Sequence, residues 1–130
     1  MSVFFFYMNS CCTTSGFLLF FFSCFDQKSF VHKMRIVISK STKPEKKYMA
    51  EVGPKTINFG HKGYSDYTQH NNNRRKSNYL ARHRTNEDWT GSDIKTAGFY
   101  SKHLLWNQKS FRASLNELNK KFKDFRFVYK

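Results

Sequence analysis

The apolar positions of this chain change their period partway along it. Arg35–Ser39 is short and β-branched, with Ile36, Val37 and Ile38 in succession, and Lys40-Ser41-Thr42-Lys43-Pro44 breaks it off; this predicts a strand followed by a turn. Tyr48–Val52 predicts a second strand with Tyr48, Ala50 and Val52 on one face and Met49 and Glu51 on the other. Gly53-Pro54 is turn chemistry, and Lys55–Gly60 alternates polar with apolar through Ile57 and Phe59. These runs predict an antiparallel three-stranded β-meander that ends in the loop Gly60-His61-Lys62-Gly63.

Beyond the loop the spacing becomes helical. Asp66–His70 leads into a helix over Asn71–Arg84, with Tyr79, Leu80 and His83 on one side. After the loop Thr90-Gly91-Ser92-Asp93, Thr96–Trp106 places Ala97, Tyr100, Leu104 and Leu105 at helical spacing, and Trp89 is expected to plug the core. Asn107 and Ser110 are both candidate caps for a last helix, whose Phe111, Leu115, Leu118 and Phe122 form an amphipathic stripe. Asp124–Lys130 is a basic, aromatic tail that either adds an edge strand or docks elsewhere. The fold class is α+β: a small antiparallel three-stranded meander packed with two to three helices.

Composition divides the 130 residues in two. All three cysteines and nine of the fifteen phenylalanines precede Met34, and residues 1–25 carry no charged side chain. Three readings compete for this stretch. It is translated T-rich non-coding sequence ahead of a native start at Met34, or a signal or membrane-anchor segment, or a buried part of the fold; the first is the expectation. Against a signal peptide stands the lack of a basic n-region, and against a membrane span the dilution by Asn9, Ser10, Thr13, Thr14, Ser15 and Ser23. A membrane partner is expected only if residues 1–33 are genuine. Residues 34–130 then form one basic, cysteine-free domain in which nothing demands an oxidising compartment.

Charge changes the picture further. The chain holds 23 Lys and Arg against 9 Asp and Glu, a formal net charge of +14, which implies an anionic partner: nucleic acid, anionic lipid or an acidic protein surface. The strongest binding signal is Arg74, Arg75 and Lys76 with Arg82 and Arg84. Arg75 and Arg82 lie seven apart, two turns along one helix face, where they can neutralise phosphates, while Tyr67 and Tyr79 nearby can stack on bases. Lys120, Lys121, Lys123 and Arg126 make a second patch with a larger structural share, because Phe122 belongs to the core stripe. Trp89 and Trp106 are the candidate apolar anchors for a protein partner.

Signals for catalysis are weak. The histidines of the domain, His61, His70, His83 and His103, lack the close paired spacing of a zinc site, and no cysteine supplements them. Asp66, His70 and His83 could serve a ββα-type, magnesium-dependent nuclease, although a cap or turn role for His70 and a half-buried helix role for His83 are the plainer readings. No phosphate-cradling glycine motif or nucleophile elbow is present. Glu87 and Asp88 are expected to solvate a helix end or to pair with Arg82 and Arg84. No cofactor, no metal and no catalysis are expected.

Several stretches carry a resemblance. Ser41-x-x-Pro44-x-Lys46-Lys47-x-Met49, Phe59-Gly60-x-x-Gly63-x-Ser65-Asp66-Tyr67-Thr68, Tyr79-x-x-Arg82-His83-x-x-x-Glu87-x-Trp89 and Thr96-Ala97-Gly98-x-x-Ser101-x-x-Leu104-Leu105-Trp106-Asn107 are together similar to a family of small uncharacterised proteins of large eukaryotic DNA viruses, of the chlorella-virus and iridovirus kind. The resemblance runs from about Met34 to Phe122 and departs at Lys109, where a proline is usual. It implies a viral or virus-derived protein and assigns no catalytic residue. The expected function is a viral structural or genome-associated protein that grips nucleic acid through its basic helix, in the virion or the host-cell interior. The alternatives are a capsid-associated module docking on an acidic coat protein, and a metal-dependent nuclease.

Overall fold

The computed structural model describes residues 32–130, so the expectations for the Phe-rich N-terminal stretch fall, but for its last two residues, outside the described residues. Three strands follow one another: β1 (Met34–Lys40), β2 (Lys46–Val52) and β3 (Lys55–His61). Each runs a residue or more beyond its apolar centre, because backbone ladder bonds continue under charged side chains at a strand's end. Ile36, Ile38, Ala50, Val52, Ile57 and Phe59 all point to one face and are buried, as the period-two alternation requires.

The meander is not the whole sheet. The tail forms β4 (Phe125–Tyr129), which pairs parallel with β1 so that Ile36 lies opposite Phe127. The sheet is therefore four-stranded and mixed, in the order β3-β2-β1-β4, with the β1–β2 and β2–β3 pairs antiparallel. This corrects the three-stranded expectation, and the reason is topological: a parallel partner requires a long crossover. All the helices lie in that crossover. The outer edge of β4 is covered at its centre by Asn119, whose side chain accepts from Phe127 N (2.9 Å) and donates to Phe127 O (3.0 Å).

Four helices occupy the crossover: α1 (Tyr67–His70), α2 (Asn73–His83), α3 (Ala97–Tyr100) and α4 (Phe111–Lys121). Asp66 closes a capping box on α1, and Asn71 ends that helix in the left-handed region (φ 52°). Asn72 then caps α2 by accepting from Arg74 N and Arg75 N. So the single helix expected over Asn71–Arg84 begins two residues later, because the Asn run serves as stop and start at once. The α3 helix continues into one π turn, Ser101–Leu105, closed by Trp106 N to Ser101 O (3.1 Å). That wider turn buries Phe99, Tyr100, His103, Leu104 and Leu105 together and leaves Ala97 exposed. Ser110, rather than Asn107, caps α4.

The helices cover one face of the sheet. Phe99, Tyr100, Leu104, Leu105 and Leu118 pack on Ile36, Ile38, Phe59 and Phe127, with Tyr100 stacked on Phe59 at 5.4 Å. In the expected α4 stripe Leu118 is fully buried, whereas Phe111, Leu115 and Phe122 are half-buried at its rim. Trp89 does not plug this core. It is half-buried, its indole N–H donates to Glu87 (3.0 Å), and the Lys102 ammonium lies over its ring.

Candidate nucleic-acid interface

Strand directions place the ends of β1, β3 and β4 and the start of β2 at one end of the sheet. There an open cleft of about 880 Å³ lies between β2–β3 and α2. Its floor depends on a close approach at Gly60, a residue with φ +69°: a Cβ there would come within 2.8 Å of Leu105, so glycine lets the π turn sit on β3. At the far wall the Glu87 carboxylate lies against Gly98, where a Cβ would come within 2.5 Å of Glu87 Cδ.

Lys47 ties the near wall together. Its ammonium pairs with Asp66 Oδ2 (2.6 Å) and donates to the carbonyl of Tyr64 (2.7 Å) and to Gln69 Oε1 (3.2 Å). Asp66 is only 4% exposed and also caps α1 through Thr68 N. Both members of this ion pair have several polar partners, which a desolvated pair needs to hold its geometry. The pair fixes the loop after β3 and the start of α1 to β2.

The α2 helix presents its cations on different sides. Arg75 and Arg82 flank Tyr79 and line the cleft, and Lys46 of β2 lines it from the sheet side. Arg75 donates to Ser65 Oγ (3.2 Å), and among the described residues no carboxylate forms an ion pair with Arg75, Arg82 or Lys46. Arg74 and Arg84 are exposed and lie outside the cleft. The Lys76 ammonium is turned inward, bonded to the carbonyl of Asn107 and lying 4.7 Å from the Tyr67 ring centre.

Tyr79 is held inside an aromatic column. One face stacks on Trp106 at 4.2 Å with 4° between the planes, and the other on His83 at 4.3 Å. Burial raises its phenol pKa, and the nearby Glu87 raises it further. With both faces covered, Tyr79 and Trp106 form the cleft wall, and neither of those Tyr79 faces is open to a base.

The remaining titratable groups are engaged locally. Glu87 accepts from Trp89 Nε1 and bonds His83 Nδ1 (3.0 Å), while Asp88 accepts from Thr90 N (3.0 Å), Thr90 Oγ1 (2.8 Å) and Ser92 Oγ (2.9 Å). Neither forms an ion pair with Arg82 or Arg84 among the described residues, one of the two roles expected for them; Glu87 is held by His83 and Trp89, and Asp88 by Thr90 and Ser92. His70 Nδ1 accepts from Asn72 N (2.9 Å), the turn role foreseen for it; desolvation and then Arg75 lower its pKa. Asp66, His70 and His83 thus each have separate partners, and no group of three metal-ligating side chains occurs among the described residues. In the second basic patch, Lys120 and Lys121 close the last turn of α4, where they complement its carbonyl end, and Lys121 lies over Phe122.

Fold and cleft together define a small α+β protein with a cation-lined cleft beside a sheet covered on one face. Residues 36–83 match the family model described as "Family of unknown function (DUF5754)". That span includes β2, β3, α1 and α2, hence Lys46, Arg75, Tyr79 and Arg82, and excludes Trp106 and β4. No curated protein and no solved structure matches the chain. No helix among the described residues is long and apolar enough to cross a membrane.

Proposed function

We propose that the protein binds nucleic acid along this cleft, holding phosphates with Arg75 and Arg82 from α2 and with Lys46 from β2. One observation carries the reading: these three cations face a shared open cleft, and among the described residues none of them is neutralised by a carboxylate. Cations concentrated at a concave surface attract a polyanion by releasing its condensed counterions, which makes affinity fall steeply with salt. Guanidinium groups suit the task because each can give two parallel hydrogen bonds to one phosphate. The contacts are to the backbone, so binding is largely independent of base sequence. In this reading the protein is a non-enzymatic structural or genome-associated component of a virus, acting in the virion or the host-cell interior.

Filter-binding titrations across salt test it. The Arg75→Ala/Arg82→Ala variant should bind every sequence more weakly and lower the slope of log affinity against log salt by about one to two units. A wild-type slope near zero would contradict the reading and favour an acidic protein partner instead.

A further inference from the structure

Three large apolar side chains are exposed among the described residues, and two of them are tyrosines: Tyr64 at 74% and Tyr129 at 42%. Both lie at the same end of the sheet as the cleft, whereas Met34, the third, begins β1 at the other end. Tyr64 follows β3 and lines the same cleft as Lys46 and Arg75. Its position is set by its backbone, since its carbonyl accepts from Lys47 and its N–H donates to His61 O (3.2 Å). Its ring meets only the edge of His61 among the described aromatic rings, at 5.2 Å. Tyr129 ends β4, with edge contacts to Phe111 (5.2 Å) and Tyr48 (6.3 Å). It borders a second groove, of about 740 Å³, which Arg112 and Arg126 also line.

An exposed aromatic ring held in place by other contacts, with cations beside it, is suited to stack on an unpaired base while the cations hold the flanking phosphates. A duplex keeps its base faces inside the stack and offers only edges and backbone. Between the two rings in strand order lie Lys40 at the end of β1, Lys43 in the β1–β2 loop and Lys46 at the start of β2, against one acidic residue, Glu45. The lateral distance from β3 to β4 is three strand spacings, about 14 Å, within reach of a few nucleotides. The groove at β4 is not prepared for a pairing peptide strand at its centre, because Asn119 already satisfies Phe127 N and O. The geometry points to single-stranded nucleic acid as the ligand, with Tyr64 and Tyr129 as its base-stacking residues. This inference rests on the nucleic-acid reading above.

The test is fluorescence-anisotropy titration of the full chain with DNA and RNA single strands of about 12 nucleotides and with the matching duplexes. The variants are Tyr64→Ala, Tyr64→Phe, Tyr129→Leu and Tyr129→Phe; leucine at 129 keeps apolar contact with Phe111 and removes the aromatic face. Loss of one stacked base is expected to weaken single-strand binding about 5- to 150-fold. Duplex affinity should change less than about twofold, and the phenylalanine variants should match wild type, since stacking needs the ring and not the hydroxyl. Equal losses on single strand and duplex, loss in the phenylalanine variants, or no loss at all would overturn the stacking assignment. If Arg75→Ala/Arg82→Ala weakens binding while the tyrosine variants do not discriminate, phosphate binding stands and the stacking claim falls. If wild type binds neither form, both fall.

Discussion

Lowering the pH from 7 to 4 is expected to destabilise the domain through His103. This ring is 2% exposed, clustered with Phe99 (4.7 Å) and Phe122 (5.3 Å), and its Nε2–H donates to the carbonyl of Trp89 (3.0 Å). Burial lowers its pKa to about 4; the bond to Trp89 and the charge of Glu117 oppose the shift, and Lys102 and Lys121 add to it. An unfolded chain protonates the same ring near pH 6.5, so between about 6.5 and 4 the unfolded state holds more protons than the folded one. Stability is then complete above about 6.5 and is lost as the pH falls through that window. The difference of two to three pKa units amounts to about 3 kcal/mol, a large part of the reserve of a domain this small. Urea unfolding followed by circular dichroism at half-unit pH steps measures it, with His103→Gln as the comparison. The variant starts less stable, because it packs less well against the two rings, but its stability should depend on pH more weakly across this window. Identical pH slopes in the two proteins would refute the reasoning, since carboxylates common to both would then account for the whole effect.

Two further perturbations address the core. Leu118→Ala, which truncates a fully buried side chain packed against the sheet, should cost about 2–5 kcal/mol in urea unfolding; an unchanged midpoint would show that this face of α4 is not core. Tyr100→Phe should leave stability unchanged or raise it by about 1 kcal/mol, because the Tyr100 hydroxyl is buried without a hydrogen-bond partner among the described residues. A loss above about 2 kcal/mol would mean that the hydroxyl has a bound partner, such as water.

Some of these features are legible in residue order and others are not. Period-two burial of Ile36, Ile38, Ala50, Val52, Ile57 and Phe59 follows directly from alternation, and so do the β1–β3 meander and the α+β class. The basic, aromatic tail Asp124–Lys130 is legible as a candidate edge strand. Its partner is not, since pairing β4 with β1 spans nearly the whole domain and no local pattern encodes a parallel crossover. The shared face of Arg75 and Arg82 was readable from their spacing of seven. The inward turn of Lys76 was not, because it depends on Asn107 and Tyr67, which only the fold brings beside it. Tyr79 was readable as a helix-face aromatic, but its two stacking partners are His83, one turn along, and Trp106, which is remote in sequence. Tyr64 lies in a glycine-flanked loop with no periodicity to mark it, so its exposure emerges only once Lys47 and His61 fix the loop.

The most direct measurement of the central claim compares two double variants that remove equal charge from α2 and its C-cap. Arg75→Ala/Arg82→Ala strips the cleft, and Arg74→Ala/Arg84→Ala strips positions outside it. Affinity for one oligonucleotide is measured in both at a fixed ionic strength, with thermal melts to show that each is folded. The cleft variant should lose at least about tenfold more affinity than the outer one, as two close phosphate contacts outweigh a general charge effect. Equal losses in the two variants would contradict the account, leaving net charge and not the cleft as the source of binding.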